Sequence, residues 1–349
     1  MQTKYKFIYF ACLYGLLFPA LFFSLFALKT QPEALLPAEA TPLEEEIETA
    51  SPNGHTFLFL GIDNASYSSD VIMLAHIDQD GNKMKLLQIP RDSYAAGHGK
   101  INSIFAKAYL EAKKANIPEA ECYLVGAKAL SSHLSLMLGI TIDHHAVLTL
   151  KDFSTLVDSV GGVPINLPKD LDYDDPAGGL SIHLKAGEQI LDGKAAEGLV
   201  RCRNAYPTAD YGRMDAQRLF LSAFFEKLRY HTSPIKLLSL ISKAHSYVKT
   251  DLSLTATLSL GKTLLAASDE HLWAATLVGK SVKIAGALCE VLPKESVKEA
   301  SLWLEGQYNE QNAAKACAEG NQAAKTAYES SAEIPFSPQN AKEKTPDHP

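Results

Sequence analysis

Short apolar runs separated by turn residues open the folded part of the chain. Residues 56–62, 71–77 and 85–89 are nearly continuous apolar stretches; the first ends at Gly61-Ile62-Asp63 and the third is stopped by Pro90. Runs of this length predict strands buried on both faces of a sheet. The period then lengthens. Residues 103–115 and 121–138 carry apolar positions at helical spacing, and Gly139 ends the second. A strand over 145–150, a short helix over 151–160 stopped by Gly161-Gly162, and a strand over 163–167 come next. Residues 170–179 are polar and glycine-containing and read as a loop, and 187–193 as a turn leading into a helix over 194–200. An amphipathic helix is predicted over 212–229, with Leu219, Phe220, Ala223, Phe224 and Leu228 on its apolar side. Further helices, including 234–245 and 252–267, are expected up to about residue 306. Strands alternating with helices predict an α/β fold with helices on both faces of the sheet.

The two ends differ from this middle. Residues 7–28 carry no charge and are rich in Phe and Leu, long enough at ~1.5 Å per residue to cross a hydrocarbon core of about 30 Å. Lys4 and Lys6 precede the stretch, and Glu33, Glu39, Glu44, Glu45, Glu46 and Glu48 come after it, so the positive-inside rule places the bulk of the chain outside. A cleaved signal peptide is the rival reading. The length of the stretch and the lack of a small-x-small site after it favour an uncleaved anchor. Residues 29–54, with Pro32, Pro37, Pro42, Pro52 and a glutamate run, read as a solvated stalk. The expected organisation is an anchor over 1–28, a stalk over 29–54, a domain over 55–306, and a peripheral helix and disordered tail over 307–349.

Composition narrows the function. The chain has 349 residues, 46% of them hydrophobic, and a formal charge of −7 with pI near 5.9. That is ample for one packed core and offers no long-range attraction to nucleic acid, for which no basic stripe is found. The five cysteines show no zinc or disulfide spacing. Cys122 and Cys289 read as buried small hydrophobes in helical surroundings, and Cys202 as pointing away from its arginine neighbours into the core. His144 and His145 are expected on opposite sides of a strand. There is no G-x-S-x-G, H-E-x-x-H or P-loop pattern to support a hydrolase, metalloprotease or NTPase.

The remaining chemistry is a set of arginines and carboxylates. Arg201 and Arg203, with Asp210, Arg213 and Gln217 after them, bring guanidiniums and a carboxamide together, and Arg91 adds another at a strand end. Planar forks of this kind give paired hydrogen bonds to phosphate oxygens, so a diphosphate is the leading ligand. Arg213 and Gln217, four apart, share a helix face. Asp63 and Asp70, on neighbouring strand ends, suggest a metal beside the phosphate. Each of these residues also has an ordinary reading, as a surface ion pair or a turn residue.

The ordered motifs Gly61-Ile62-Asp63, Ile89-Pro90-Arg91-Asp92-Ser93, Lys100-Ile101-Asn102, Val157-Asp158-Ser159-Val160-Gly161-Gly162-Val163 and the passage from Arg201 to Gln217 resemble the LytR-CpsA-Psr family of membrane-anchored bacterial envelope proteins. The resemblance implies an α-β-α layered fold with a mixed central sheet, preceded by one transmembrane helix. It also implies an extracytoplasmic phosphotransferase of the cytoplasmic membrane. Such an enzyme moves a glycopolymer phosphate, whether teichoic acid, capsule or another wall polysaccharide, from a polyprenyl diphosphate carrier to peptidoglycan with Mg2+ or Mn2+. It implies Asp63 and Asp70 as metal carboxylates, Asp63 also as an aid to deprotonating the acceptor hydroxyl, Arg91, Arg201, Arg203, Arg213 and Gln217 as diphosphate ligands, and Asp92 and Asp210 as residues that orient the arginines. Two positions depart from the family pattern: Ser68 and Ala216 stand where arginines are usual. A polyprenyl diphosphate-binding scaffold and a lipid diphosphate hydrolase are the alternatives.

Overall fold

Alternation along the first three strands sends one apolar set to each side of a central sheet. The computed structural model describes residues 54–78, 83–175, 180–203, 206, 209–230, 234–266, 272–306 and 334–335. The expected anchor, most of the stalk, and the tail apart from 334–335 lie outside the described residues. Among those described, no helix is long and apolar enough to cross a membrane.

The chain runs β1 (Gly54–Ile62), β2 (Ser69–Asp78), β3 (Met84–Gln88), the short pair β4 (Tyr94–Ala95) and β5 (Gly99–Lys100), α1 (Asn102–Lys114), α2 (Glu119–Leu138), β6 (His144–Thr149) and α3 (Leu150–Ser159). It continues through β7 (Val163–Leu167), β8 (Leu171–Asp175), β9 (Leu180–Leu184), β10 (Gly187–Leu191), α4 (Gly193–Arg201), α5 (Asp210–Tyr230), α6 (Pro234–Tyr247), β11 (Lys249–Thr250) and α7 (Leu254–Ala266). Last come β12 (Leu272–Thr276), β13 (Lys280–Ile284), β14 (Ala287–Val291), α8 (Lys294–Leu304) and β15 (Ile334–Pro335). The central sheet has the order β11-β6-β1-β2-β3-β12-β15. It is mixed: β6 is parallel to β1 and β12 to β3, while β1–β2 and β2–β3 are antiparallel.

One face of the sheet (Leu58, Leu60, Ile62, Ile72, Leu74, Leu87, Ile89) packs against α1 and α2 through Phe105, Tyr109, Leu130 and Leu134. The other face (Phe57, Met73, Ala75, Ile77, Met84, Leu86) meets Leu221 and Phe225 of α5 and Leu260 of α7. Helices therefore cover both sides, as the strand pattern predicts. A further core joins α3, α4 and α5 to β7 and β9 through Val157, Val163, Ile165, Ile182, Leu199 and Phe220.

Three expectations fail. Residues 170–179 are not simply a loop, because β8 pairs with β9 as a hairpin whose inward residues Leu171 and Ile182 are buried while Asp172, Asp174 and His183 face water. Residues 187–193 hold β10, which pairs with β7 and leaves Ile190 exposed. Beyond 267 the chain is not all helix: β12 joins the main sheet and β13–β14 form a hairpin, which places Cys289 on a strand, still buried. Strands with one wet face and few apolar residues carry a weak periodic signal.

Helix α4 ends at Arg201, so the contacts at its start decide where that guanidinium is delivered. Asp192 caps the helix by accepting from the Ala195 N–H at 2.8 Å. At its first residue, Gly193 lets α4 touch α3: its N–H donates to Asp158 at 2.7 Å, and a Cβ there would lie 2.2 Å from the Ser154 carbonyl oxygen. Gly193→Ala is expected to destabilise the fold by about 1–3 kcal/mol or more, because backbone must move. Urea unfolding checks this, and a midpoint equal to wild type would mean the helices are not this close.

Candidate functional site

One end of the sheet gathers the chemistry. β1 runs out at Ile62 opposite Ser69, where β2 begins, and β3 returns to that end at Gln88, so the residues after β1, at the start of β2 and after β3 become neighbours. A bulge at Gly61/Ile62 and the bare Cα of Gly61, where a Cβ would lie 2.9 Å from Val71, let the two strand ends close up.

The loop after β1 is tied by its own Asp. The Asp63 N–H donates to Ser68 O at 3.1 Å and Asp63 O accepts from the Tyr67 N–H at 2.8 Å. Its carboxylate accepts from the N–H groups of Ala65 and Ser66 at 3.3 and 3.2 Å and from Ser66 Oγ at 2.8 Å. Tyr67 sits in the left-handed region with φ 55° and stacks on Tyr109 with ring centroids 4.4 Å apart. Burial acts to raise the Asp63 pKa. The bonds from Ser66 and Ala65 and the charge of Arg201 outweigh it and hold the carboxyl below its ordinary 3.8.

Asp70 and Arg91 form the next layer. Arg91 Nη1 donates to Asp70 Oδ1 at 2.5 Å, and its Nε lies 3.6 Å from Asp210 Oδ1 and 4.0 Å from Asp92 Oδ1. Burial acts to lower the Arg91 pKa, but Asp70, Asp210 and Asp92 together raise it above its usual value. Asp92 is also held by Lys100 Nζ at 3.0 Å.

Asp210 opens α5 immediately after Ala209, another left-handed residue at φ 49°. Its Oδ1 lies 2.8 Å from Arg213 Nη2 and 4.0 Å from Arg203 Nε. Arg213 is 4% exposed and also donates to the Asp70 carbonyl at 3.3 Å. Burial lowers its pKa, the nearby Arg91 charge lowers it further, and Asp210 and Asp70 only partly offset both. These charges touch at poor angles. Among the described residues, both Asp210 oxygens, Arg91 Nε and Arg213 Nε are buried with no aligned hydrogen-bond partner. Buried polar atoms left in that state point to a ligand or solvent that completes them.

The structure therefore brings Asp70, Arg91, Asp92, Asp210 and Arg213 into one cluster, with Arg203 on its exposed rim and Asp63 within electrostatic reach of Arg201. Two of the expected ligand residues also hold protein groups. Gln217 Nε2 donates to the Val200 carbonyl at 3.1 Å, so the carboxamide braces the end of α4. Arg201 Nη1 donates to Glu197 Oε1 at 2.9 Å, and Ser154 Oγ donates to the other Glu197 oxygen. Cys202 between the two arginines is fully buried, as expected, and anchors the turn. Sequence reasoning misses Glu197 altogether and reaches Lys100 only as part of a motif, without its role on Asp92. The i, i+4 spacing of Glu197 and Arg201 is the available signal for the first. The histidine expectation also fails in part, since His144 Nδ1 and His145 Nδ1 both lie within 3.5 Å of Asp251 Oδ2.

The LytR_cpsA_psr family model matches residues 29–304. The chain is 31% identical over 195 residues to the cell wall biosynthesis protein LcpA of Corynebacterium glutamicum, a match covering 51% of this chain and 37% of that one. It is 25% identical over 241 residues to the polyisoprenyl-teichoic acid--peptidoglycan teichoic acid transferase TagV of Bacillus subtilis, covering 65% and 57%. The chain thus spans from 37% to 57% of the length of these curated relatives. In fold it is similar to the crystal structure of B. subtilis TagV, with TM-score 0.59 at 21% identity over 74% of this chain and 99% of that one. It is also similar to TagT bound to LIIa-WTA, with TM-score 0.56 at 24% identity over 73% and 91%.

Two measurements probe the cluster. Asp210→Asn removes the charge that several arginines share and is expected to lower stability by about 3–5 kcal/mol, as breaking a buried pair does. Adding Arg213→Met should recover part of that loss, and an Asp210→Asn variant within about 1 kcal/mol of wild type would show that the arginines need no common partner. The second concerns pH. Because the Asp63 pKa is depressed, its stabilisation is complete above 3.8 and fades as pH falls below that value. A carboxylate NMR titration should give a midpoint below 3.8, and a midpoint above it would mean the 63–68 loop is open.

Proposed function

The chain belongs to the LytR_cpsA_psr family, and from that premise we propose that it is a membrane-anchored extracytoplasmic phosphotransferase that attaches a cell-wall glycopolymer to peptidoglycan. The donor is a polyprenyl diphosphate-linked glycopolymer. The observation that carries this reading is the Asp70–Arg91–Asp210–Arg213 cluster, in which Nε atoms of two arginines lie buried without aligned acceptors at the end of the sheet. Phosphate oxygens are the acceptors such forks accommodate best. That TagV is a polyisoprenyl-teichoic acid--peptidoglycan teichoic acid transferase, and that TagT has been solved bound to LIIa-WTA, support the same class of donor and acceptor.

In this reaction an acceptor hydroxyl oxygen attacks the phosphorus that bears the glycopolymer. The bond from that phosphorus to the bridging oxygen breaks, the electron pair leaves with the lipid monophosphate, and the hydroxyl proton passes to the leaving phosphate. Catalysis of this kind needs positioning and charge neutralisation more than covalent chemistry. Arg91 and Arg213 supply fixed charge from buried positions; Arg203, more exposed, meets the outer phosphate. Arg201, held by Glu197, lies toward Asp63. Asp63 is a weak base here, since its carboxylate already accepts three hydrogen bonds and its pKa is depressed.

The carboxylate oxygens of Asp63 and Asp70, which stand on adjoining strand ends, are the kind of donor a hard divalent cation takes. Asp63 and Asp70 would hold magnesium or manganese, which when bound neutralises phosphate charge. The full-length protein, given a synthetic polyprenyl diphosphate oligosaccharide, peptidoglycan fragments and magnesium, should yield acceptor carrying a sugar phosphate by mass spectrometry. Arg91→Ala and Arg201→Ala should each lower that yield about 10²–10³-fold. Wild-type turnover in both would rule out these roles. Free sugar phosphate would replace transfer with hydrolysis.

A further inference from the structure

The β13–β14 hairpin stands almost entirely in solvent. Residues 280–283 and 285–288 are exposed, Cys289 is buried and Glu290 half-buried, so the hairpin leans on the body along one edge. That edge is polar. The Glu290 N–H donates to the Asp92 carbonyl at 2.9 Å, and Ser93 forms a bridge with the same residue. From the other side, the Tyr211 hydroxyl accepts from the Gly279 N–H at 2.9 Å and donates to Glu290 Oε2 at 3.3 Å. The other Glu290 oxygen accepts from Ser281 Oγ.

A phenol can serve both partners because it has one donor and spare acceptor capacity. Tyr211 keeps its proton to carry out this role: burial pushes its pKa up, the Gly279 N–H pulls it down, and Glu290 pushes it up again, to about 12. The address of the link gives it meaning. Tyr211 comes directly after Asp210 and Asp92 directly after Arg91, so the phenol and Glu290 join the first turn of α5 to the segment after β3 by a path separate from the ion pair. The ion pair needs such a path. Arg91 Nε and Asp210 Oδ1 lie 3.6 Å apart with no aligned hydrogen bond, so charge alone does not set their angle.

We propose that Tyr211, acting through Glu290, is a positioning residue for the transfer site: it ties the hairpin to both chain segments and thereby sets the spacing at which Arg91 and Asp210 face each other. The proposal rests on the transferase reading above. Its structural rival is that the same bonds merely seat an exposed hairpin.

The full-length chain as wild type, Tyr211→Phe, Glu290→Ala and Glu290→Gln separates the two. Each is assayed for transfer and observed through the 1H–15N resonance of Arg91 Nε, assigned by its loss in Arg91→Lys. Tyr211→Phe and Glu290→Ala should lower kcat about 10- to 100-fold, with the donor KM within about threefold of wild type, and should shift the Arg91 resonance. Glu290→Gln should stay within about threefold of wild type in kcat and leave the resonance in place, since its amide oxygen still accepts from Tyr211 and its NH2 can donate to Ser281. If instead both damaging variants lose only folded protein, keeping wild-type kcat per folded molecule and an unshifted resonance, the positioning role is wrong. Should Tyr211→Phe not fold, the contrast between Glu290→Ala and Glu290→Gln decides. If wild type shows no transfer, the transferase reading fails by itself. The resonance then decides positioning alone: a shift in Tyr211→Phe that is absent in Glu290→Gln supports it, and no shift overturns it.

Discussion

Two arginines can lie side by side at a sheet end only with a negative charge between them, and here that charge is Asp210. Arg213 is almost wholly buried at 2.8 Å from it and Arg91 faces it at 3.6 Å, while the positive charge of Arg91 acts against that of Arg213. Without the carboxylate, two desolvated cations would share a low-dielectric site, which is among the most unfavourable arrangements a fold can hold. Asp70 contributes the second half of the balance, through its carboxylate to Arg91 and its carbonyl to Arg213. The cluster is therefore a unit, and its members cannot be assigned independent energies.

The position of Asp210 depends in turn on how α5 is packed. Phe220 and Ala223 belong to the core built with α3 and α4, whereas Leu221 and Phe225 pack on the sheet. One helix thus joins two cores, and its first turn is carried to the end of the sheet where β3 delivers Arg91. Gln217 adds a polar brace by donating to Val200, one residue before Arg201. Ala216 is 4% exposed within the same core, so a small residue suits that position, and a longer charged one would have to run out along the helix to reach water. At Ser68 the loop is closed by backbone: its carbonyl accepts from Asp63 and its N–H donates to Ser66 Oγ. The closure does not depend on which side chain stands there.

Much of this architecture is legible in the sequence, and the parts that are not have identifiable causes. β1, β2 and β3 are apolar on both faces, so their runs stand out, and the long apolar periods of α1 and α2 do likewise. β8 and β10 show one wet face and, among the described residues, one buried residue each, Leu171 and Leu191, and the acidic sequence of β8 resembles a loop. The arginines and aspartates can be named because motif order survives where periodicity fades. Their partners cannot. Helical spacing places Arg213 and Gln217 on one face, but a face does not say whether a carboxamide meets a ligand or a neighbouring helix end. Likewise, nothing in Gly61-Ile62-Asp63 announces that Ser66 and Ala65 will occupy the Asp63 carboxylate.

Charge balance at the site bears on what it can bind. Arg91, Arg201, Arg203, Arg213 and Lys100 equal in number the carboxylates around them, Asp63, Asp70, Asp92, Asp210 and Glu197, though Asp210 alone faces three of the arginines. A site with no net positive formal charge offers the proposed diphosphate donor no excess attraction, so the donor's charge would have to be balanced by something that arrives with it or binds before it. In the proposed reaction, either a cation would enter with the donor, or an arginine would change its carboxylate partner for a phosphate oxygen and leave that carboxylate free. The two routes are linked, because a carboxylate released by an arginine is the ligand a hard cation requires. In that reaction Asp70 would be the point of exchange: it grips Arg91 through one oxygen and stands at the start of β2, beside the strand end that carries Asp63.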